Sequence, residues 1–312
     1  MIVRDRPNGL QLFLMLRGSV LQRIWLTLLL NTLLAIVVTV VHGNLFTLKI
    51  TVTAVPFTLI GLPLAIFLGF RNNTAYDRYW EARKLWGEIT LRARSLSRQC
   101  QSLIGPAGDP LGQRDTDVRV RMVHRAIAFA HALRLQLRDQ HDDAVLQRWV
   151  TPAEWERLRH ATQRTDALLL AMGRDLGDCV REGRIDPCLA ASVDATLSAL
   201  TGDAASCERI KNTPVPFSYA LLLHRTAYMY CFLLPFGLVD TIGFMTPFVV
   251  AIVAYTFFGL DALGDELEEP FGLENNDLPL DTLCRGIEIS LLESLGETDL
   301  PPPLLPVNYR LT

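Results

Sequence analysis

Four apolar runs stand out from an otherwise polar chain. Ile24 to Val41 has no charged residue, Ile50 to Phe70 has none between Lys49 and Arg71, and Thr241 to Leu260 is equally clean. The remaining run, Val215 to Val239, is interrupted by His224 and Arg225 but keeps Leu221, Leu222, Leu223, Tyr228, Phe232, Leu233 and Leu234 around them. Each run approaches the ~20 residues that a helix needs to cross hydrocarbon. The first starts late, is long for a signal-peptide core and is followed by no A-x-A site, so it reads as a retained span. The pattern predicts an all-α polytopic membrane protein with four transmembrane helices arranged in two pairs.

Between the pairs the chain is too polar to cross a bilayer and carries helical periodicity. Tyr79, Trp80, Leu85 and Trp86 continue the second run with no breaker before Gly87. Gly105, Pro106, Gly108 and Pro110 mark a loop. Val118 to Arg138 repeats Val123, Ile127, Ala130, Leu133 and Leu137 at the spacing of an amphipathic helix. Thr151 followed by Pro152 reads as a cap and first helical residue opening a stretch to about Leu176. Pro187 opens a shorter one. A last helix is expected from about Asp281 to Leu295, before the Pro-rich tail at Pro301, Pro302, Pro303 and Pro306. No alternating β pattern predicts a sheet. Five segments follow: 1–23, N-terminal and cytosolic; 24–71, transmembrane helices 1 and 2; 72–213, a helical cytosolic region; 214–260, transmembrane helices 3 and 4; and 261–312, a C-terminal cytosolic helix and tail.

Charge adds an orientation. Arg4, Arg6, Arg17 and Arg23 precede the first run, and Arg71, Arg78, Arg83 and Lys84 follow the second. The segment from His42 to Lys49 carries one cation and the turn around Asp240 none. Cationic residues mark the cytoplasmic side, so both termini and the middle segment are expected in the cytoplasm, in a multi-pass protein of the cell inner membrane. Composition agrees: of 312 residues, 50% are hydrophobic and 20% charged, and the mean hydropathy of +0.23 excludes a disordered chain. The net charge of -3 gives no basic character to suggest nucleic acid. The six cysteines form no C-x-x-C pair and the histidines show no metal spacing, so no cofactor or metal site is expected. Walker, dinucleotide and nucleophile-elbow motifs are missing too.

Within the second run, Leu62, Ile66 and Phe70 form one stripe, and Gly61, Ala65 and Gly69 the adjoining one. Such stripes serve helix packing or face lipid; large apolar side chains there would also fit a narrow axial hole. Pro56 and Pro63 inside the run remove backbone donors, an irregularity tolerated at membrane depth where it is buried or lines a wet cavity. A collar of Arg71, Tyr76, Asp77, Tyr79, Trp80 and Glu81 follows, which composition alone reads as interfacial anchoring. His224 and Arg225 form either an intramembrane ionisable pair or an interfacial one. The acidic stretch from Asp261 to Asp281 is oxygen-rich but has no EF-hand loop, and a solvated helix face is the simpler reading.

At these residues the sequence resembles the bestrophin family, in its bacterial branch. The resemblance is carried by Leu16-Arg17-Gly18-Ser19-Val20, Ile66 to Asn73, Tyr79 to Arg83, Thr213 to Phe217, His224-Arg225-Thr226, Asp261-Ala262-Leu263, Glu269 to Gly272 and Asn276 to Leu280. It implies a homopentameric ion channel around a central pore, with chloride or other small monovalent ions, the lipid bilayer and further copies of the chain as partners. Leu62, Ile66 and Phe70 match the family's pore neck. Cys188, after Gly183-Arg184-Ile185-Asp186-Pro187, matches its cytosolic aperture, where family members usually carry Ile or Val. Leu273-Glu274-Asn275-Asn276-Asp277 stands where animal members have the acidic run of a calcium clasp, so calcium activation is not expected.

Selectivity stays divided between two signs. Apolar neck side chains cannot choose by charge, so backbone dipoles and mouth charges must. A helix break at Pro63, as in anion-conducting members, would expose N–H groups that favour anions, and Arg71 would add a positive ring if it faced the axis. Asp77 and Glu81 would oppose both. The reading leans to an anion channel, with a monovalent-cation channel of the same fold as the alternative. A membrane-bound enzyme would need a nucleophile or metal set, and none is visible. A membrane-anchored interaction protein without transport explains the cytosolic helices but not two prolines beside a small-residue stripe.

Overall fold

The computed structural model describes residues 1–3, 18–41, 44–45, 48–49, 53, 55–105 and 117–312. Arg4, Arg6, Arg17 and the expected loop beyond Gly105 lie outside these residues. The described chain is helical: α1 (Leu21–Val40), α2 (Val55–Leu103), α3 (Val118–Leu137), α4 (Asp143–Gln147), α5 (Pro152–Leu158), α6 (Arg164–Arg181), α7 (Pro187–Asn212), α8 (Phe217–Ile242), α9 (Thr246–Glu268) and α10 (Leu280–Ser294), with a 3-10 turn at Gly243–Met245. Departures from helix are a pair of two-residue antiparallel strands, Asn44–Leu45 and Leu48–Lys49, between α1 and α2, and isolated antiparallel bridges of Arg310 with Ile2 and Val307.

Three stretches are long and apolar enough to cross a membrane: Leu21–Val40, Val55–Leu103 and Phe217–Glu268. The last is folded in two. Gly243 adopts a positive φ of 53°, which glycine accepts without steric cost. Residues equidistant from this turn then meet: Tyr228 packs on Phe258 with ring centroids 4.6 Å apart, and Tyr230 on Phe257 at 5.2 Å. α8 and α9 are therefore an antiparallel hairpin. α1 lies antiparallel to α9, with Ile24 against Phe258 and Ala262 and Ala35 clustered with Val250. α2 runs parallel to α9: Phe57 shares a cluster with Val250, while Arg71 reaches Asp261. The four helices alternate in direction, and α2 alone continues well past the level at which Arg71 meets Asp261.

α2 has 49 residues and extends about 74 Å at 1.5 Å per residue. The collar after Phe70 is thus not a terminus; the helix passes Gly87 and ends at Leu103, so the boundary expected at 71/72 falls inside one rigid element. Pro56 is the second residue of the helix, a position where a missing N–H costs nothing. Pro63 lies inside it and the helix continues through.

Beyond this level, the lower half of α2 forms a second core with α3, α6, α7 and α10. α3 was expected to be amphipathic, but 16 of its 20 residues are buried. Two of its arginines go inside because counterions meet them there, one from the helix's own N-cap and the others from elements further along the chain. Arg119 pairs with Asp117 at 2.7 Å, and Arg125 pairs with Asp175 at 2.7 Å and with Glu154. The expected helix from Pro152 to Leu176 is instead two, α5 and α6, separated at 159–163. Thr151 does cap it: its side chain accepts from the Glu154 N–H while Glu154 reaches back, a full capping box. α7, expected to be short, has 26 residues.

α7 is antiparallel to α2. Glu81 meets Arg209, Arg92 meets Asp203, and the Gln99 amide donates to the Ser192 carbonyl. Gly105 N–H then donates to the Arg184 carbonyl at 2.7 Å, tying the end of α2 to the turn before α7.

At Gly264, α9 packs tightly on side chains of α2: a Cβ there would sit 2.7 Å from Asn72 Oδ1 and 3.6 Å from Arg71 Cζ. Gly286 in α10 has nothing within 4 Å. Gly264→Ala should lower stability by roughly 1–3 kcal/mol through overpacking, whereas Gly286→Ala should raise it by about 0.5–1 kcal/mol through helix propensity. Thermal unfolding of the two variants in detergent should therefore shift in opposite directions.

Candidate functional site

The faces of α2 explain which of its residues can act together. Phe57, Leu64, Leu68, Arg71, Ala75, Ala82 and Trp86 are buried within the subunit. Leu62 (67% exposed), Ile66 (48%) and Phe70 (58%) lie on the other side and are left uncovered. Asp77 is exposed and Glu81 half-buried; at seven and eleven residues after Phe70 they continue the same face. Of the two glycines in the small-residue stripe, Gly61 meets a neighbour, since a Cβ there would lie 2.8 Å from Tyr230 Oη. Gly69 has nothing within 4 Å.

Arg71 does not share that face. One residue after Phe70, it is turned by about 100° into the helix bundle and is 2% exposed. Its Nη1 donates to Asp261 Oδ1 at 2.7 Å, its Nη2 donates to Asp265, and Glu268 Oε2 lies 3.8 Å away. Asp261 Oδ2 pairs with His224 Nδ1 at 2.7 Å, and Asp265 with Arg23 at 3.6 Å. One cluster thus links α1, α2, α8 and α9. The expectation of a positive ring at Arg71 is corrected: carboxylates of its own subunit neutralise it.

The acidic stretch is corrected with it. Asp261 is buried, Asp281 pairs with Arg134 and Arg138, and Glu266 accepts from the Asn276 amide at 2.7 Å, so this is not a solvated face. Burial alone would raise the Asp281 carboxyl, but the two guanidinium groups hold it below its ordinary range. Nor do His224 and Arg225 act as a pair, because Arg225 is exposed on another side of α8.

Pro63 also differs from expectation. No helix N-terminus opens there; the proline instead frees the carbonyl of Leu59, one turn back. Glu81 accepts from Arg209 at 2.7 Å, and among the described residues no basic group pairs with Asp77.

Cys188 is the one exposed cysteine of the six. It is the second residue of α7, where its N–H donates to the Asp186 side chain at 2.7 Å. Because α7 starts beside the end of α2, Cys188 stands roughly 50 Å along α2 from Phe70.

Arg78, one of the cations that follow the second apolar run, has a structural part that its charge alone does not suggest. Its guanidinium donates to the carbonyls of Glu268 at 3.2 Å, Ile210 at 2.6 Å and Thr213. It closes the C-terminal ends of α7 and α9 on α2, where orphan carbonyls need donors. The spacing carried the signal. Leu64, Leu68, Arg71, Ala75 and Arg78 share one stripe, and Asp261, Asp265 and Glu268 form a matching one on α9.

With this geometry in place, similarity to known proteins is decisive. Residues 1–293 match the bacterial and fungal bestrophin family. The chain belongs to that family. Similar proteins include one from Mesorhizobium japonicum named voltage-dependent anion channel-forming protein mll4386, 47% identical over 98% of this chain and 95% of the relative. The Salmonella typhi protein named voltage-dependent anion channel-forming protein YneE is 42% identical over the whole of both chains. A solved bacterial bestrophin homologue from Klebsiella pneumoniae superposes with a TM-score of 0.82 at 38% identity, covering 88% of this chain and 99% of that one. As a bestrophin, the protein is a membrane channel and not an enzyme.

The turn after α9 carries a titratable group with a measurable consequence. Asp277 is 3% exposed, and burial pushes its carboxyl up to about 6. A carboxyl raised in the folded state above its unfolded value destabilises the fold when ionised. Its cost is present at pH 7 and relieved as pH falls through about 6. Asp277→Asn keeps an acceptor for the Glu274 N–H, which Asp277 Oδ2 now takes at 2.6 Å. The variant should be more stable than the parent at pH 7 by about 1–3 kcal/mol, and the gain should shrink toward pH 5. Thermal unfolding across that range checks it.

Proposed function

We propose that the protein is a passive anion channel of the cell inner membrane, conducting chloride or similar small monovalent anions through a homopentameric pore. The observation that carries the pore is the uncovered stripe of Leu62, Ile66 and Phe70 on a helix whose opposite face is fully packed. A single subunit with one such stripe cannot enclose a hole, so cyclic symmetry is required, and five copies follow the family. Rings of apolar side chains at the neck then gate by dewetting.

In this reading α1, the start of α2, α8 and α9 each cross the membrane. From the ion cluster to the far turns they measure about 25 Å, near the ~30 Å of hydrocarbon. The cluster marks the cytoplasmic boundary, with both termini, the lower half of α2 and the remaining helices in the cytoplasm. Cys188 rings the cytosolic aperture. The relatives' names support anions. A monovalent-cation channel is the second reading, favoured by Asp77, which extends the neck face with no basic partner among the described residues, and by the neutralisation of Arg71.

Purified protein in liposomes tests all of this. Currents in asymmetric KCl should reverse near the chloride equilibrium potential; reversal near that of potassium would establish the cation reading. The triple variant Leu62→Ala, Ile66→Ala, Phe70→Ala should widen the neck and raise flux severalfold. Unchanged flux from a folded, assembled variant would reject the neck.

A further inference from the structure

Away from the pore face, a cavity of about 130 Å³ lies where the short helix α5 meets α6. The two helices differ in length: the seven residues of α5 span about 10 Å and the eighteen of α6 about 27 Å. On α6, Ala167, Leu170, Ala171 and Arg174 fall at i, i+3, i+4 and i+7 and share one face. α5 is too short to cover that face. Leu158 packs at its near end, and Leu170 is left 56% exposed. The hollow between them is apolar, walled by Val150, Leu158, Ala167, Leu170 and Ala171, and open to solvent beside Leu170.

Four charged groups complete the wall: Arg125, Glu154, Arg157 and Arg174. Two of them cancel. Arg125 donates to Glu154, both side chains are largely buried, and Glu154 is committed further by accepting from the Thr151 N–H at 3.0 Å. The other two do not. Arg157 and Arg174 are exposed at the cavity, and among the described residues neither has a hydrogen bond or an ion pair. The wall thus presents two unmatched guanidinium groups beside an apolar hollow.

That combination selects its occupant. Two unmatched positive charges disfavour cations. A hydrated inorganic anion gains nothing from an apolar wall. The hollow is close in size to the ~150 Å³ apolar cavity that takes up a benzene, and guanidinium forks match the geometry of a carboxylate.

We propose that this cavity binds a small organic monocarboxylate whose compact apolar body has roughly six carbons, with the body against Leu158, Leu170 and Ala171 and the carboxylate on Arg157 and Arg174. The apolar wall supplies burial, and the two arginines fix the orientation of the bound molecule.

The test uses the full-length protein in detergent, with isothermal titration at fixed chloride concentration and the titration of protein-free micelles subtracted. Benzoate is the probe, benzamide its uncharged analogue, and acetate its charge without the ring. Benzoate should bind saturably, once per subunit, and each of the other two at least about tenfold more weakly. Arg157→Gln combined with Arg174→Gln changes two exposed, unpaired side chains. It should leave the unfolding temperature of the unliganded protein unchanged and weaken benzoate at least about tenfold. Ala171→Leu fills the hollow without altering charge and should weaken benzoate by a similar factor. Absence of saturable benzoate binding overturns the proposal, as does unchanged affinity in either variant. Benzamide or acetate binding as tightly as benzoate also overturns it, because the ring or the charge alone would then suffice. Neither ion flux nor its selectivity enters the readout, so failure here is distinct from failure of the channel reading.

Discussion

The buried ion pair of Arg71 with Asp261 is the constraint from which the rest of the architecture follows. A guanidinium at the end of an apolar run cannot be left bare in a low-dielectric bundle. It is accommodated by three carboxylates spaced one and two turns apart on α9, and Asp261 in turn holds His224 on α8. Arg23 completes the cluster from α1. Four helices from distant parts of the chain are thereby fixed in register at one height. Such a pair is not automatically stabilising, but removing one partner would leave a buried charge uncompensated. Its clearest contribution is to registry.

That registry decides what α2 can present elsewhere. With Leu64, Leu68 and Arg71 committed to the bundle, helical geometry leaves Leu62, Ile66 and Phe70 outside it. Because α2 is one continuous helix, the choice made at Arg71 is transmitted downward: Arg78 clasps the ends of α7 and α9, and Glu81 and Asp77 follow the neck stripe. The same rigid element carries the proposed neck at one end and, through Gly105 and Arg184, the turn of Cys188 at the other. The proposed neck and aperture would therefore be coupled through one helix.

Much of this was legible in the sequence. The apolar runs gave the helices of the membrane part, and the absence of a breaker after Phe70 gave the continuity of α2. The motifs around Asn72 and His224 gave the family. What escaped was set by contacts between distant segments. Burial of Arg125 depends on Glu154 and Asp175, so local periodicity made α3 look half-exposed. The break between α5 and α6 at 159–163 has neither Gly nor Pro to announce it. Arg71 was misplaced for a different reason: its stripe was present in the spacing, but a charge beside an apolar run reads as a mouth charge until its acidic partners on α9 are aligned with it. Pro63 marked an irregularity, yet the helix absorbs it without a break.

The central claim is that the uncovered stripe of α2 faces water on the axis of an assembly rather than lipid. The direct measurement is the current through Ile66→Cys in a Cys188→Ala background, before and after a charged, membrane-impermeant thiol reagent. The five remaining native cysteines are buried, so the background should be silent. The account predicts that modification at position 66 changes the current by a large factor. A current untouched by the reagent, in protein whose introduced thiol is labelled by a lipid-soluble reagent, would place the stripe in the bilayer and contradict the account.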